Sequence, residues 1–190
     1  MTKKTNPERR KGENNRQKIT FDRTYKAPLE DVWRLWTTKE GIESWWGPEG
    51  FVVKVRKLEL RPGGALEYAM TATDPPQIEA LKGMGVPLTQ VVRGTYKEVS
   101  PWRRLVYTNL ADFIPGVKPY EVTMVVELSA VPQGVRMLVT QDAMHDEQWT
   151  KLATMGWESE IGKLTKLLAM QGPARAAKRT EPAPHRTTLK

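Results

Sequence analysis

The sequence predicts an α+β fold: a curved antiparallel sheet of about seven strands packed on a long C-terminal helix, with two short helices between the first strand and the second. Three observations carry that expectation. Seven strand-like segments are set off by turn residues, and the clearest of them alternate apolar and polar residues with the period of a half-buried strand. One long final segment repeats its apolar residues at helical spacing instead. The 190 residues are 39% apolar and include seven Trp, enough for one core in a chain of single-domain length.

Ile19, Phe21, Arg23 and Tyr25 alternate with Thr20, Asp22 and Thr24, which predicts a first strand over residues 19–26 with one buried face. Arg23 shares that face, and a charge turned inward needs a partner, either a structural ion pair or the carboxylate of a ligand. Pro28 suits a first helical turn, and Leu29, Val32, Trp33 and Trp36 then recur at steps of three and four. A second short helix over 39–46 runs into Gly47-Pro48-Glu49-Gly50, a turn sequence. Residues 51–60 and 65–73 form a hairpin around Pro62-Gly63-Gly64, with Leu66, Tyr68 and Met70 on one face. Residues 74–89 interrupt the strands with three Pro and two Gly, yet hold Ile78, Leu81 and Met84 at helical spacing, so one or two helical turns are expected there. Four more strands follow at 90–99, 103–110, 120–131 and 135–141. In the clearest of them Tyr120, Val122, Met124, Val126, Leu128 and Ala130 form one face.

The final helix is expected over about 146–169, capped by Asp146 and ended by Gly172-Pro173. Its apolar stripe is uneven. The first half offers Ala153 and Gly156, the second Ile161, Leu164, Leu167 and Leu168. A helical Gly costs about 1 kcal/mol relative to Ala, so Gly156 asks for a reason: close backbone packing, or space left as a cavity wall.

The net charge of +8 belongs to the ends. Residues 1–16 and 171–190 each carry +4, while 17–170 hold 19 basic and 19 acidic residues. Residues 1–17 and 171–190 are expected as disordered basic tails flanking a domain over 18–170. The neutral body does not call for nucleic acid, beyond a weak attraction of the tails to polyanions. With no Cys, no apolar run of membrane-spanning length and no signal peptide, a cytoplasmic protein without disulfides is expected.

Tyr25-Lys26-Ala27-Pro28 with Val32-Trp33, then Trp45-Trp46-Gly47-Pro48, Arg61-Pro62-Gly63-Gly64, Gly94-Thr95-Tyr96 and Met155-Gly156-Trp157 stand in an order that resembles the activator of heat-shock protein 90 ATPase homologue-like domains of the START-like (SRPBCC) superfamily. The resemblance covers roughly residues 19–169. It implies a helix-grip fold, related to the START and Bet v proteins, with a cavity between sheet and helix used in that superfamily for lipids, polyketides and other apolar compounds. It does not choose among carriers, enzymes and a co-chaperone acting in the stress response. The eukaryotic co-chaperone carries an ATPase-contacting domain ahead of this one, whereas a short polar segment precedes Ile19 here. The 74–89 insertion exceeds the family's plain hairpin connection, and its apolar residues either cover something, as a lid near the cavity mouth, or pack on something.

Catalytic motifs are lacking. His145 and His185 are the two histidines, and the ligands of a His145-Asp146-Glu147 metal cluster would point apart, so neither a metal nor a cofactor is expected. No serine has the context of a nucleophile, and no glycine-rich nucleotide motif occurs. A cavity carboxylate would suffice for acid-base chemistry; Asp112 and Glu160 are the catalytic candidates, with Asp142 behind them. Asp112 also suits a turn, and Glu160 a pairing with Lys163 or Lys166. The candidate ligand-binding residues are Trp46, Tyr68, Met70, Tyr96, Tyr107, Met124, Met137, Ala153, Gly156 and Trp157. Each alone suits a core, and the resemblance favours a cavity for the group. The expected function is therefore the binding of a small hydrophobic molecule, lipid- or polyketide-like, before catalysis. The alternatives are a protein-interaction module regulating a chaperone ATPase and a cyclase- or hydrolase-like enzyme. A homodimer is compatible with all three.

Overall fold

A computed structural model describes residues 16–179, with side chains through Met170. The elements run β1 (Lys18–Tyr25), α1 (Leu29–Thr37), α2 (Lys39–Trp45), β2 (Phe51–Leu58), β3 (Ala65–Ala72), α3 (Pro75–Gly83), β4 (Thr89–Ser100), β5 (Arg104–Ala111), β6 (Tyr120–Val131), β7 (Gly134–Asp142) and α4 (Glu147–Arg179). Seven strands form one antiparallel sheet in the order β1-β7-β6-β5-β4-β3-β2. β1 lies beside the last strand because α1 and α2 carry the chain across the inner face before β2 begins. The register shifts between Val55 and Lys57 and between Tyr96 and Glu98. Such irregularities increase local twist, which helps a sheet wrap around a helix.

The period-two reading of the strands holds. Val122, Met124, Val126 and Leu128 of β6 are buried, as are Val135, Met137, Val139 and Gln141 of β7. These face α1, α2 and α4 in a single cluster that includes Trp33, Trp36, Trp45 and Trp46 and, from α4, Ile161, Leu164 and Leu168. Trp36 meets Trp45 edge-on at 4.8 Å between ring centroids and stacks on Trp157 at 6.2 Å. Burying a large apolar side chain stabilises by about 1.5–3 kcal/mol before entropy is counted, so this tryptophan cluster anchors the short helices to the sheet.

The insertion forms α3 and, with its flanks, a second cluster. Ala72, Leu81 and Val86 are buried there, with Phe51, Ile78, Leu88, Phe113 and Trp149 packed against them. Asp146 Oδ1 accepts the Trp149 amide at 2.8 Å, as its expected capping role requires. Gly172-Pro173 does not end α4, contrary to expectation: the helix continues to Arg179, into the segment expected as a tail. Proline's fixed φ is itself helical and costs one hydrogen bond, and the following Ala174, Ala176 and Ala177 are strong helix formers. Of the expected tails, 1–17 and 171–190, residues 1–15 and 180–190 lie outside the described residues.

Candidate functional site: a cavity between sheet and helix

The sheet and α4 do not meet everywhere. A cavity of about 160 Å³ lies toward the N-terminal end of α4. Tyr68 and Met70 enter it from β3, Gln90 and Val92 from β4, and Asn109, Leu110 and Ala111 from β5. Val122 and Met124 of β6, Gln141 of β7, the following Met144, Phe113 of the β5–β6 loop and Ala153 of α4 complete the wall. Phe113 also packs against both hydrophobic clusters and meets Trp149 edge-on at 5.8 Å. The expected lid residues thus pack beside a residue of the cavity wall.

None of the lining residues is charged. The polar ones are three carboxamides and a phenol. Gln141 accepts from the indole N–H of Trp157 and points its amide at Met144 Sδ, 3.9 Å away. Gln90 is 8% exposed. Asn109 sits opposite Gly94 across the β4–β5 ladder, and a Cβ at Gly94 would lie 2.6 Å from Asn109 Oδ1 and 2.7 Å from Thr108 O, so only glycine leaves room for that amide. Asn109 Oδ1 is nevertheless buried with no hydrogen-bond partner among the described residues.

Four of the ten expected ligand residues line the cavity: Tyr68, Met70, Met124 and Ala153. Trp46, Tyr96, Tyr107 and Met137 are buried in the packed core beside it, with Trp46 stacked on Tyr107 at 6.2 Å and edge-on to Tyr68 at 5.2 Å. Trp157 touches the site through Gln141, and Gly156 faces Pro48. A Cβ on Gly156 would meet only Pro48 Cγ, at 3.6 Å, so close backbone packing is not the reason for that glycine. The expected list did not include the lining residues Gln90, Val92, Asn109, Leu110, Ala111, Phe113, Val122, Gln141 and Met144. Strand phase carried the signal for several, since 109 and 111 continue the inward face of Tyr107, and 122 that of Met124.

The ionisable candidates lie off the wall. Asp112 is exposed and pairs with Arg93 at 3.4 Å. Asp142 is fully buried; burial alone would raise its pKa, but Lys18 and the Thr123 amide outweigh this and hold the carboxyl below its ordinary value. Arg23 pairs with Glu158 at 2.7 Å, the structural ion pair rather than a ligand anchor. His145 and Asp146 do not point apart: the imidazole lies 3.1 Å from Asp146 Oδ2 on one side and 3.2 Å from the Tyr120 hydroxyl on the other, because the helix-start turn bends them together.

Glu160 is the unusual group. As a residue it is partly buried, but its carboxyl is the enclosed end, beside the Gly47 amide and close enough to Tyr68 and Tyr107 to raise both phenols further. Burial pushes it up to about 8, against the opposing pull of Lys163 and the Gly47 N–H. Lys163 donates to the Trp46 carbonyl at 3.2 Å and the Gly47 carbonyl at 2.7 Å, Ser159 Oγ accepts the Glu49 amide, and Lys166 pairs with Glu49 at 2.6 Å. The Trp46–Glu49 turn is therefore held on α4 by polar contacts along one helix edge.

The family model described as Activator of Hsp90 ATPase homolog 1-like protein matches residues 26–169. The chain belongs to this family. Its resemblance to that family in the sequence is thereby confirmed, and the helix-grip architecture is the one seen in related solved structures. A protein from Chromobacterium violaceum is 23% identical, with 80% of this chain and 96% of that chain covered and a TM-score of 0.64. The AHSA1 protein from Silicibacter pomeroyi is 19% identical over 82% and 99% of the two chains, also at 0.64. An AHSA1-like protein from Aeromonas hydrophila is 19% identical over 89% and 99%, at 0.61. No curated protein matches the chain at a significant level. At these identities the likeness concerns the fold. Among the described residues no helix is long and apolar enough to cross a membrane.

Proposed function

We propose that this AHSA1-like protein binds a small apolar molecule in the cavity between the sheet and α4. The observation supporting this is the cavity's own composition: Met, Val, Ala and Phe walls with a few convergent, uncharged polar groups, placed where α4 offers Ala153 instead of a larger side chain. Ligand pockets combine apolar area with a few orienting polar atoms, and Met70, Met124 and Met144 supply a wall that adapts to a guest. Asp112 and Glu160 stand outside the lining, which favours a carrier or sensor over an enzyme.

Native mass spectrometry of the protein as purified, followed by denaturing extraction, tests the reading. A stoichiometric apolar guest, lost in an Ala153→Phe variant that fills the space, is the expected result. A guest binding at 100 times its Kd would also stabilise the fold by about 2.7 kcal/mol, readable as a shift of several degrees in melting temperature. The family's description names activation of a chaperone ATPase. An empty protein that no apolar compound stabilises, but that raises the ATPase rate of the cell's own chaperone, would overturn the cavity reading in favour of that role.

A further inference from the structure

The cavity's size and its polar atoms together restrict what it can hold. An apolar cavity of about 150 Å³ accommodates a benzene molecule, whereas drug-sized ligands occupy about 300–1,000 Å³. At about 160 Å³ the space within the wall holds one ring, and because the site is partly open a longer chain or a fused polycycle would have to extend out of it. The guest's charge follows from the same wall. A carboxylate or ammonium group entering it would lose its hydration and find no countercharge, since no Asp, Glu, Lys, Arg or His lines the space.

The guest's polar group follows from Asn109. In the inward-facing row across β4, β5 and β6, its neighbours are Gly94 and Val122, neither of which offers a side-chain hydrogen bond. Gly94 gives the amide its room, yet Asn109 Oδ1 is left buried and unpartnered. That oxygen is packed over Gly94 and closed to the cavity, so the part of Asn109 that the wall offers a guest is its amide N–H group, a donor that an oxygen on the guest can meet. Gln141 has its oxygen committed to Trp157 and one amide hydrogen directed at Met144 Sδ, which leaves its second amide hydrogen as a further donor, and Gln90 enters from β4. We infer that the cavity selects an uncharged single-ring compound bearing a hydroxyl or comparable hydrogen-bonding group, with that group directed at Asn109. This deepens the proposed function and rests on it.

Phenol and toluene differ only by a hydroxyl in place of a methyl group, and therefore isolate the polar contact. Titration calorimetry on the full-length protein, stripped of any guest, would compare phenol, toluene, benzoate and decanoate. Phenol is expected to bind about tenfold more tightly than toluene, with benzoate and decanoate binding more weakly than either. Asn109→Leu is expected to bring phenol and toluene to equal affinity, and Gln90→Leu serves as a second variant if the first does not fold. Equal binding of phenol and toluene by the wild-type protein, or tighter binding of benzoate or decanoate, overturns the inference while leaving an occupied cavity intact. If no probe binds but the purified protein carries an extractable guest, the ligand class is wrong and the cavity reading stands. If neither is found, both fall.

Discussion

The two ends of the interface between sheet and α4 are built from the same strands and the same helix, yet one is solid and the other hollow. Toward the C-terminal end, Ile161, Leu164 and Leu168 of α4 meet Trp36, Trp45 and the inner residues of β6 and β7 with almost no exposure. Toward the N-terminal end, α4 offers Ala153 to a wall of Met, Val and three amides, and about 160 Å³ stays open. Strand geometry does not make the difference, since the same ladders run through both ends. Side-chain volume on one helix face makes it. Interiors close to crystal-like density only where side chains are large enough to interlock.

Mutations that exchange the character of the two ends sharpen this comparison. Leu164 is completely buried, and Leu164→Ala should cost about 3 kcal/mol in chemical denaturation, as large-to-small changes in packed sites do. Ala153→Leu on the hollow side should cost less than about 1 kcal/mol, since the added atoms enter existing space. Similar losses for both would mean that the hollow end collapses onto its contents and is no cavity.

Glu160 lies between the two ends, and its effect depends on pH. Its folded pKa, about 8, stands above the ordinary 4.5, so between those values the folded protein holds a proton that the unfolded chain has released. Stability therefore falls as pH rises through that window and levels off above it. Glu160→Gln should remove the slope: melting temperatures match the wild type near pH 4.5 and exceed it by a few degrees at pH 9. An unchanged slope would show that the carboxyl is ionised in the folded protein.

Gly156 gives the smallest expected effect. A Cβ there meets only Pro48 Cγ at an ordinary contact distance, so Gly156→Ala should stabilise the protein by about 0.5–1 kcal/mol through helix propensity alone. A loss instead would mean that Pro48 and the Trp46–Glu49 turn press more closely on α4 than the geometry indicates.

The candidate site was only partly legible because the sequence criteria searched for large aromatic side chains. Trp46, Tyr96 and Tyr107 were drawn into the list by size, and size is what buries them in the solid region. The cavity is found where side chains are small or polar: Ala111, Ala153, Asn109. The uneven stripe of α4 was the better guide: it left close packing and a cavity wall as alternatives at Ala153 and Gly156, and Ala153 lines the cavity.

Local patterns alone set the seven strands, the inward phase of β1, β3 and β6, the two helices after β1 and the amphipathic final helix, because periodicity and turn chemistry act over a few residues and survive in any context. The tertiary structure decided that Asn109 loses its partner over Gly94, that the Glu160 carboxyl is enclosed beside Gly47 and the phenols of Tyr68 and Tyr107, and that Gly172-Pro173 fails to stop α4. The first two depend on desolvation, which is set by atoms distant in the chain and converging in space, and no local pattern encodes it.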